Sequence, residues 1–193
     1  MSELYKTIIF LGKPGCGKGT QAKKIHDLGI GFHFSTGDMF RNIDETTEVG
    51  RYVKDLIDRG KYVDSETTLI LMQRTLNRYV QDGRYRPNKQ YLLLDGFPRT
   101  EEQVKMGNDY FNVVKVLHLY VPEEVAIQRL RERGKTSERE DDQNEATLQE
   151  RMETYRQETE HLLSKYPNKH DVDTSPPVEE VHQKILEILG HAL

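Results

Sequence analysis

Apolar positions along this chain keep two different rhythms. Thr7-Ile8-Ile9-Phe10-Leu11, Phe32-His33-Phe34, Tyr91-Leu92-Leu93-Leu94 and Val113 to Val121 are short strand-like runs, the first ended by Gly12. The first is apolar at nearly every position, which predicts a strand buried on both faces. Each run is followed by a helical pattern, beginning with Lys18 to Asp27, and a weaker fifth strand signal lies near Asp171-Val172. Strands alternating with helices require crossover connections. The expected fold is therefore α/β: a mostly parallel sheet with helices on both faces and ligands beyond the C-terminal strand ends.

Two stretches stand outside that alternation. From about Val49 to Tyr79 two helical segments follow one another with no strand between them, separated by Gly60 and restarted with Asp64 or Ser65 as N-cap. From Gly134 to Asn144 the chain is polar without periodicity and reads as an exposed loop. A long helix is expected from Glu145, with Leu148, Met152, Tyr155, Thr159, Leu162 and Tyr166 forming one buried stripe. No repeat or linker divides the chain, so residues 1–193 read as a single domain.

Composition narrows the function classes. A formal charge of −4 gives no large basic field of the kind nucleic-acid binders use. No apolar run approaches membrane-spanning length and the N-terminus carries no signal-peptide pattern, which points to the cytosol and away from a membrane. The single cysteine, Cys16, leaves no internal disulfide and no zinc site built on several thiolates.

Gly12-Lys13-Pro14-Gly15-Cys16-Gly17-Lys18 satisfies G-x-x-x-x-G-K between a buried strand and a helix, the context a phosphate-binding loop requires. The glycines let backbone N–H groups turn toward phosphate oxygens, the helix N-terminus adds partial positive charge, and Lys18 neutralises the β/γ region. The hydroxyl residue that usually follows the lysine is displaced by one place, since Gly19 precedes Thr20. Leu92-Leu93-Leu94-Asp95 is an apolar strand delivering a carboxylate beside this loop, so Asp95 is the candidate Mg²⁺ residue, acting through water.

The run from Gly12 to Gln21 resembles the nucleoside monophosphate kinase family, and the resemblance continues through almost the whole chain. Ser35-Thr36-Gly37-Asp38-Met39-Phe40-Arg41 looks like its monophosphate-contacting segment and Asp95-Gly96-Phe97-Pro98-Arg99 like its second signature. Arg133-Gly134-Lys135-Thr136-Ser137, with Arg139, Asp141-Asp142 and Arg151, looks like the short lid of cytosolic adenylate kinases, with one extra residue between Asp142 and Arg151. The resemblance implies the phosphate-loop kinase fold: a core of residues 1–35, 80–133 and 145–193, a helical monophosphate-binding insert at about 36–79, and a lid at about 134–144.

It also implies reversible, Mg²⁺-dependent phosphoryl transfer from ATP to AMP, giving two ADP, by a monomer that uses no zinc. The implied ATP residues are Gly15, Cys16, Gly17, Lys18, Gly19, Thr20, Arg129 and Arg133, with the segment Asp173 to Pro177 near the adenine. The implied AMP residues are Thr36, Arg41, Val63, Gly96, Arg99, Gln103, Arg139 and Arg151. Lys18, Arg133, Arg139 and Arg151 would carry the transfer, because a planar guanidinium binds phosphate oxygens bidentately and stays charged. Asp141 and Asp142 are implied as lid-hinge acids that pair with arginines or cap the long helix.

Thr36 and Gln103 decide which monophosphate is expected. Pyrimidine monophosphate kinases of the same family tend to carry Ala and Asn there, so this pair implies adenine, with a UMP/CMP kinase as the alternative. Thr100-Glu101-Glu102-Gln103 is also a capping box, which gives the same glutamine a purely structural reading. A guanine-nucleotide switch would use Asn168-Lys169-His170-Asp171, but those letters follow a helix end and turn rather than an apolar strand.

Overall fold

The computed structural model describes residues 4–136 and 140–190. Among them, β1 (Tyr5–Leu11), β2 (Gly31–Ser35), β3 (Tyr91–Asp95), β4 (Phe111–Tyr120) and β5 (His170–Asp173) form one parallel sheet in the order β2-β3-β1-β4-β5. The expected α/β class is what is found. All five strands are present at the expected places; β1 begins two residues earlier than its apolar run because Tyr5 and Lys6 still pair with Phe111 and Asn112.

Side-chain alternation explains the continuous apolar runs. Ile8 and Phe10 of β1 and Leu93 of β3 face α1 (Lys18–Asp27) and α8 (Val178–Gly190), where they meet Ala22, Ile25, Ile185 and Leu189. Leu92 and Leu94 face the other way, onto Leu69, Met72 and Leu76 of α4 (Ser65–Gln81). Both faces of a central strand are thus covered, so no polar alternation survives. Gly31 belongs to this packing, since a Cβ there would sit 2.6 Å from Leu93 Cγ.

Between β2 and β3 the chain makes α2 (Thr36–Arg41), α3 (Glu48–Asp58) and α4. Asp64, one of the two expected caps, accepts from Thr67 N–H, and Ser35 and Thr47 accept in the same way from Asp38 N–H and Gly50 N–H. Phe40, Val53 and Val63 give this region an apolar cluster of its own. Thr100 caps α5 (Glu101–Gly107).

The lid region departs from expectation. α6 (Glu123–Thr136) runs past Gly134, and a 3₁₀ turn (Glu140–Asp142) precedes α7 (Glu145–Glu158), whose N-cap is Asn144. Asp141 and Asp142 are buried, not exposed as a polar loop would be, because arginines from three elements surround them. The close packing needs a residue without a side chain at 134, where a Cβ would lie 2.5 Å from Asp142 O. The expected long helix stops at Glu158 and continues as a 3₁₀ segment (Glu160–Lys165), although its stripe from Leu148 to Leu162 is buried as expected. Arg139 and Ser137 lie outside the described residues.

Gly31→Ala should overpack the sheet at Leu93 and cost about 1–3 kcal/mol, and Leu93→Ala should leave a cavity costing about 2–5 kcal/mol. The double variant should be more stable than the sum of the two losses, because the new methyl occupies space the leucine vacates. Urea denaturation of the four proteins checks this.

Candidate active site

In an open parallel sheet the ligand crevice lies where neighbouring connections leave in opposite directions, beyond the strand C-termini. Here β1 lies between β3 and β4, and Phe10, Ser35 and Asp95 stand in register at the ends of β1, β2 and β3. A cavity of about 700 Å³ opens over these ends, with Lys18, Arg41, Arg99, Arg129, Arg133 and Arg151 on its walls.

The loop after β1 forms one wall. Gly12 has φ +137°, and a Cβ there would lie 2.1 Å from Leu119 O, so only glycine lets the chain leave the strand this close to β4. Lys18 Nζ donates to the carbonyl oxygens of Gly12 (2.7 Å) and Lys13 (3.0 Å), arching over the loop. Gly15, Gly17, Gly19 and Thr20 line the same cavity, whereas the Cys16 side chain is buried behind the loop, 3.6 Å from Lys18 Nζ.

Asp95 ends β3 against this loop. Burial opposes its ionisation, but His33, Lys18 and Arg99 outweigh that and hold its carboxyl below the usual carboxylate range. His33 Nε2 stands 3.6 Å from Asp95 Oδ2, just beyond hydrogen-bond length, and is buried without another partner. Gly19 would bring a Cβ to 3.2 Å of the same oxygen, so a side chain there would crowd the carboxylate. One ionised carboxylate next to a phosphate loop fits a magnesium ion, which keeps most of its waters and takes few protein ligands. Among the described residues no group of three or more His, Cys, Asp or Glu is placed to hold a metal.

One residue further along the chain, Gly96 O gathers two residues. Arg99 Nε donates to it at 2.7 Å and Thr36 Oγ1 at 2.8 Å. A Cβ on Gly96 would lie 2.6 Å from Thr36 Oγ1 and 2.8 Å from Arg99 Nη2, and its φ is +84°. Gln103 Oε1 accepts the Arg99 backbone N–H at 2.8 Å while its own N–H donates to Thr100 Oγ1 at 3.2 Å. Thr100 therefore caps the helix as a capping box requires, while the glutamine oxygen goes to the N–H one residue before the N-cap and its NH₂ keeps hydrogen bonds to give. Thr36, Val63 and Gln103 are buried and are not among the residues that line the cavity.

Arg41, Arg133 and Arg151 are held by carboxylates. Arg133 Nε and Nη2 donate to Asp142 at 2.5 and 3.0 Å, and Arg151 Nη1 reaches Asp142 at 2.5 Å and Asp141 at 2.8 Å. Arg41 joins Asp38 at 2.8 Å and Asp141 at 3.5 Å. Burial would raise the Asp142 carboxyl, but Arg133 and Arg151 overcome it and the net direction is down. Arg151 thus meets both acids from the first half of α7. Arg129 Nη2 donates to Thr174 O at 2.8 Å, tying α6 to the segment that follows β5.

Sequence reasoning missed Tyr62, Thr159 and His33 as site residues. Tyr62 was hidden beside Val63, and Thr159 was visible only as one member of an apolar stripe. The signal that could have exposed Thr159 was its polarity within that stripe.

A phosphate loop, an adjacent ionised aspartate and several arginines lining one cleft define a site built for phosphate groups. The family model for adenylate kinase matches residues 10–171. The chain is 33% identical to an adenylate kinase of Flavobacterium psychrophilum over 95% of this chain and 98% of that one. It is 37% identical to an adenylate kinase of Prochlorococcus marinus over 86% of each, and 36% identical to a UMP-CMP kinase of Lentinula edodes over 92% of this chain and 83% of that protein. The chain belongs to the adenylate kinase family, and its chemistry is that of a nucleoside monophosphate kinase, a nucleotide-binding phosphotransferase. Among the described residues no helix is long and apolar enough to cross a membrane.

Asp142→Asn should destabilise the fold by about 1–3 kcal/mol at pH 7, through loss of the charge-assisted bonds to Arg133 and Arg151. The folded carboxyl is lowered, so its contribution is present above the ordinary carboxylate pKa and is lost as pH falls through the folded value. The gap between variant and wild type should hold from pH 7 to about 5 and close below about pH 4. Denaturant titrations across that range check the sign.

Proposed function

We propose that this protein transfers the terminal phosphoryl group of ATP to AMP, giving two ADP, in a reversible reaction. The Gln103 amide carries the choice of AMP. With its oxygen engaged by Arg99 N–H, it offers a donor, which matches the unprotonated N1 of adenine and mismatches the protonated N1 of guanine and N3 of uracil, while cytosine, whose N3 also accepts, is left to be rejected by shape. Backbone near Val63 and the Thr36 to Arg41 segment complete this acceptor side.

In this reading Gly15 to Thr20 cradle the ATP phosphates. Arg129 and the segment Asp173 to Pro177 flank the donor base, and Arg41 and Arg99 hold the AMP phosphate. An acceptor-phosphate oxygen forms the new P–O bond as the bond from the γ-phosphorus to the β–γ bridging oxygen breaks. That nucleophile is already ionised, so no general base is required. Lys18, Arg133, Arg139 and Arg151 offset the charge on the transferring group, and the arginine forks align it for in-line transfer. Asp95 would hold Mg²⁺ through water, and the ion would supply positive charge to neutralise the transferring phosphates; no zinc takes part.

Residues 36–79 act as the acceptor insert and 134–144 as a lid whose closure excludes water, on a single-domain core. The cation cluster must be shielded when the site closes, and Asp141 and Asp142 supply that shielding. We also read the protein as a cytosolic monomer. Its single buried cysteine suits a reducing compartment. Transfer to UMP or CMP is the second reading, favoured by the similarity to the UMP-CMP kinase of Lentinula edodes.

Coupled assays with MgATP and AMP, CMP, UMP, GMP or shikimate decide between these readings. AMP should exceed CMP and UMP in kcat/KM by roughly 10²–10⁴-fold, the range between shape discrimination and unpaired buried polar groups. Gln103→Asn with Thr36→Ala should narrow the ratio chiefly by losing AMP activity. Preference of the wild type for CMP or UMP would overturn the AMP assignment.

A further inference from the structure

Arg99 is the acceptor-side cation with the least room to be held by carboxylates. No Asp or Glu forms an ion pair with it among the described residues, and its Nη1 and Nη2 carry no protein hydrogen bond there. What orients it is a set of contacts that runs through Tyr62. The guanidinium carbon of Arg99 lies 4.8 Å from the centroid of the Tyr62 ring. The Tyr62 hydroxyl is 2.9 Å from Thr159 Oγ1, and Thr159 Oγ1 donates to Arg99 O at 2.8 Å.

Hydrogen-bond accounting sets the direction of this relay. The Arg99 carbonyl can only accept, so the single Thr159 proton goes to it, and Tyr62 must therefore donate to Thr159. Arg99 is consequently held at both ends, by the ring at its guanidinium and by the hydroxyl chain at its backbone. Its Nε is fixed separately to Gly96 O at 2.7 Å. The remaining nitrogens form a fork of fixed direction, facing the cavity that Tyr62 and Arg99 both line.

The three residues come from three elements. Tyr62 lies between α3 and α4 in the insert, Arg99 follows β3, and Thr159 caps the C-terminal end of α7. A cation over an aromatic face is stabilised by the ring quadrupole, and more so where water is partly excluded. Tyr62 is half-buried, so the contact is partly shielded.

We propose that Tyr62 is a positioning residue for the acceptor phosphate, acting through Arg99 and not through the base. This rests on the reading of Arg99 as the monophosphate-holding arginine. It makes the insert a supplier of phosphate affinity as well as a cover for the base. Its action should appear in acceptor binding and leave donor binding unchanged.

The test is a double-mutant cycle read by AMP titration, with KM for MgATP as the control. Tyr62→Leu should weaken AMP by about 3- to 30-fold, the range a cation–π contact spans, with KM for MgATP within about twofold. Affinity for adenosine, which lacks the phosphate, should stay within about twofold. In an Arg99→Ala background the same Tyr62→Leu change should cost less than about twofold, because its object is gone. An equal loss in both backgrounds, a matching loss for adenosine, or no loss in either would overturn the proposal. If Tyr62→Leu does not fold, Tyr62→Phe decides. It keeps the ring and breaks the relay to Thr159, so AMP should weaken by about 2- to 5-fold, and an unchanged value refutes the relay. Failure of the wild type to transfer phosphate to any monophosphate would instead refute the function on which the inference rests.

Discussion

Mutual repulsion among cations is the constraint the rest of the structure answers. Lys18, Arg41, Arg99, Arg129, Arg133 and Arg151 face one cavity in a chain whose formal charge is −4. Two like charges about 4 Å apart repel by roughly 4 kcal/mol at an effective dielectric near 20, so such a cluster needs anions built in behind it. Asp95 at the end of β3 and the buried pair Asp141 and Asp142 provide them. Burial alone would favour the neutral form of Asp95 and Asp142. Both stay ionised because the cations they balance are close enough to outweigh desolvation.

The same acids make the chain mechanically continuous around the site. Asp142 joins Arg133 of α6 to Arg151 of α7, and Asp141 joins Arg151 to Arg41 of α2. Close by, Thr147 Oγ1 donates to Asp58 O at 3.0 Å, Thr154 Oγ1 to Gly60 O at 3.3 Å, and Lys61 pairs with Glu150. The end of α3 is thereby fastened to α7, the helix that also carries Arg151. The end of α3 and the arginines of α6 and α7 share one support, so a change in either is felt by the other. That arrangement suits a reaction in which two nucleotides must be aligned before transfer.

Gln103 shows how a side chain engaged near a helix start can keep one end of its amide uncommitted. Such a side chain uses one end of its amide, and an amide has two. With Oε1 on Arg99 N–H the helix start is fixed and the flip of the amide with it, which turns a symmetric-looking group into a donor of known direction. Thr36 is committed in the same way, its hydroxyl going to Gly96 O.

The features legible in the sequence were those whose physics is local. Strands buried on both faces show as apolar runs, the phosphate loop shows as glycines at fixed spacing after a strand, and the caps Asp64 and Thr100 sit beside the helices they begin. Each depends on backbone conformations set within a few residues, so the order of letters is enough. Which acid meets which arginine was not legible. Arg41 and Asp141 are 100 residues apart, and in a chain with 31% charged residues any Arg and any Asp are equal partners on paper. The burial of Asp141 and Asp142 inside a stretch that reads as exposed loop, and the meeting of Tyr62, Arg99 and Thr159, were likewise decided only by folding. These contacts join elements that become neighbours when crossover connections stack them on the sheet, and the energy that selects them exists only once water has been excluded between them.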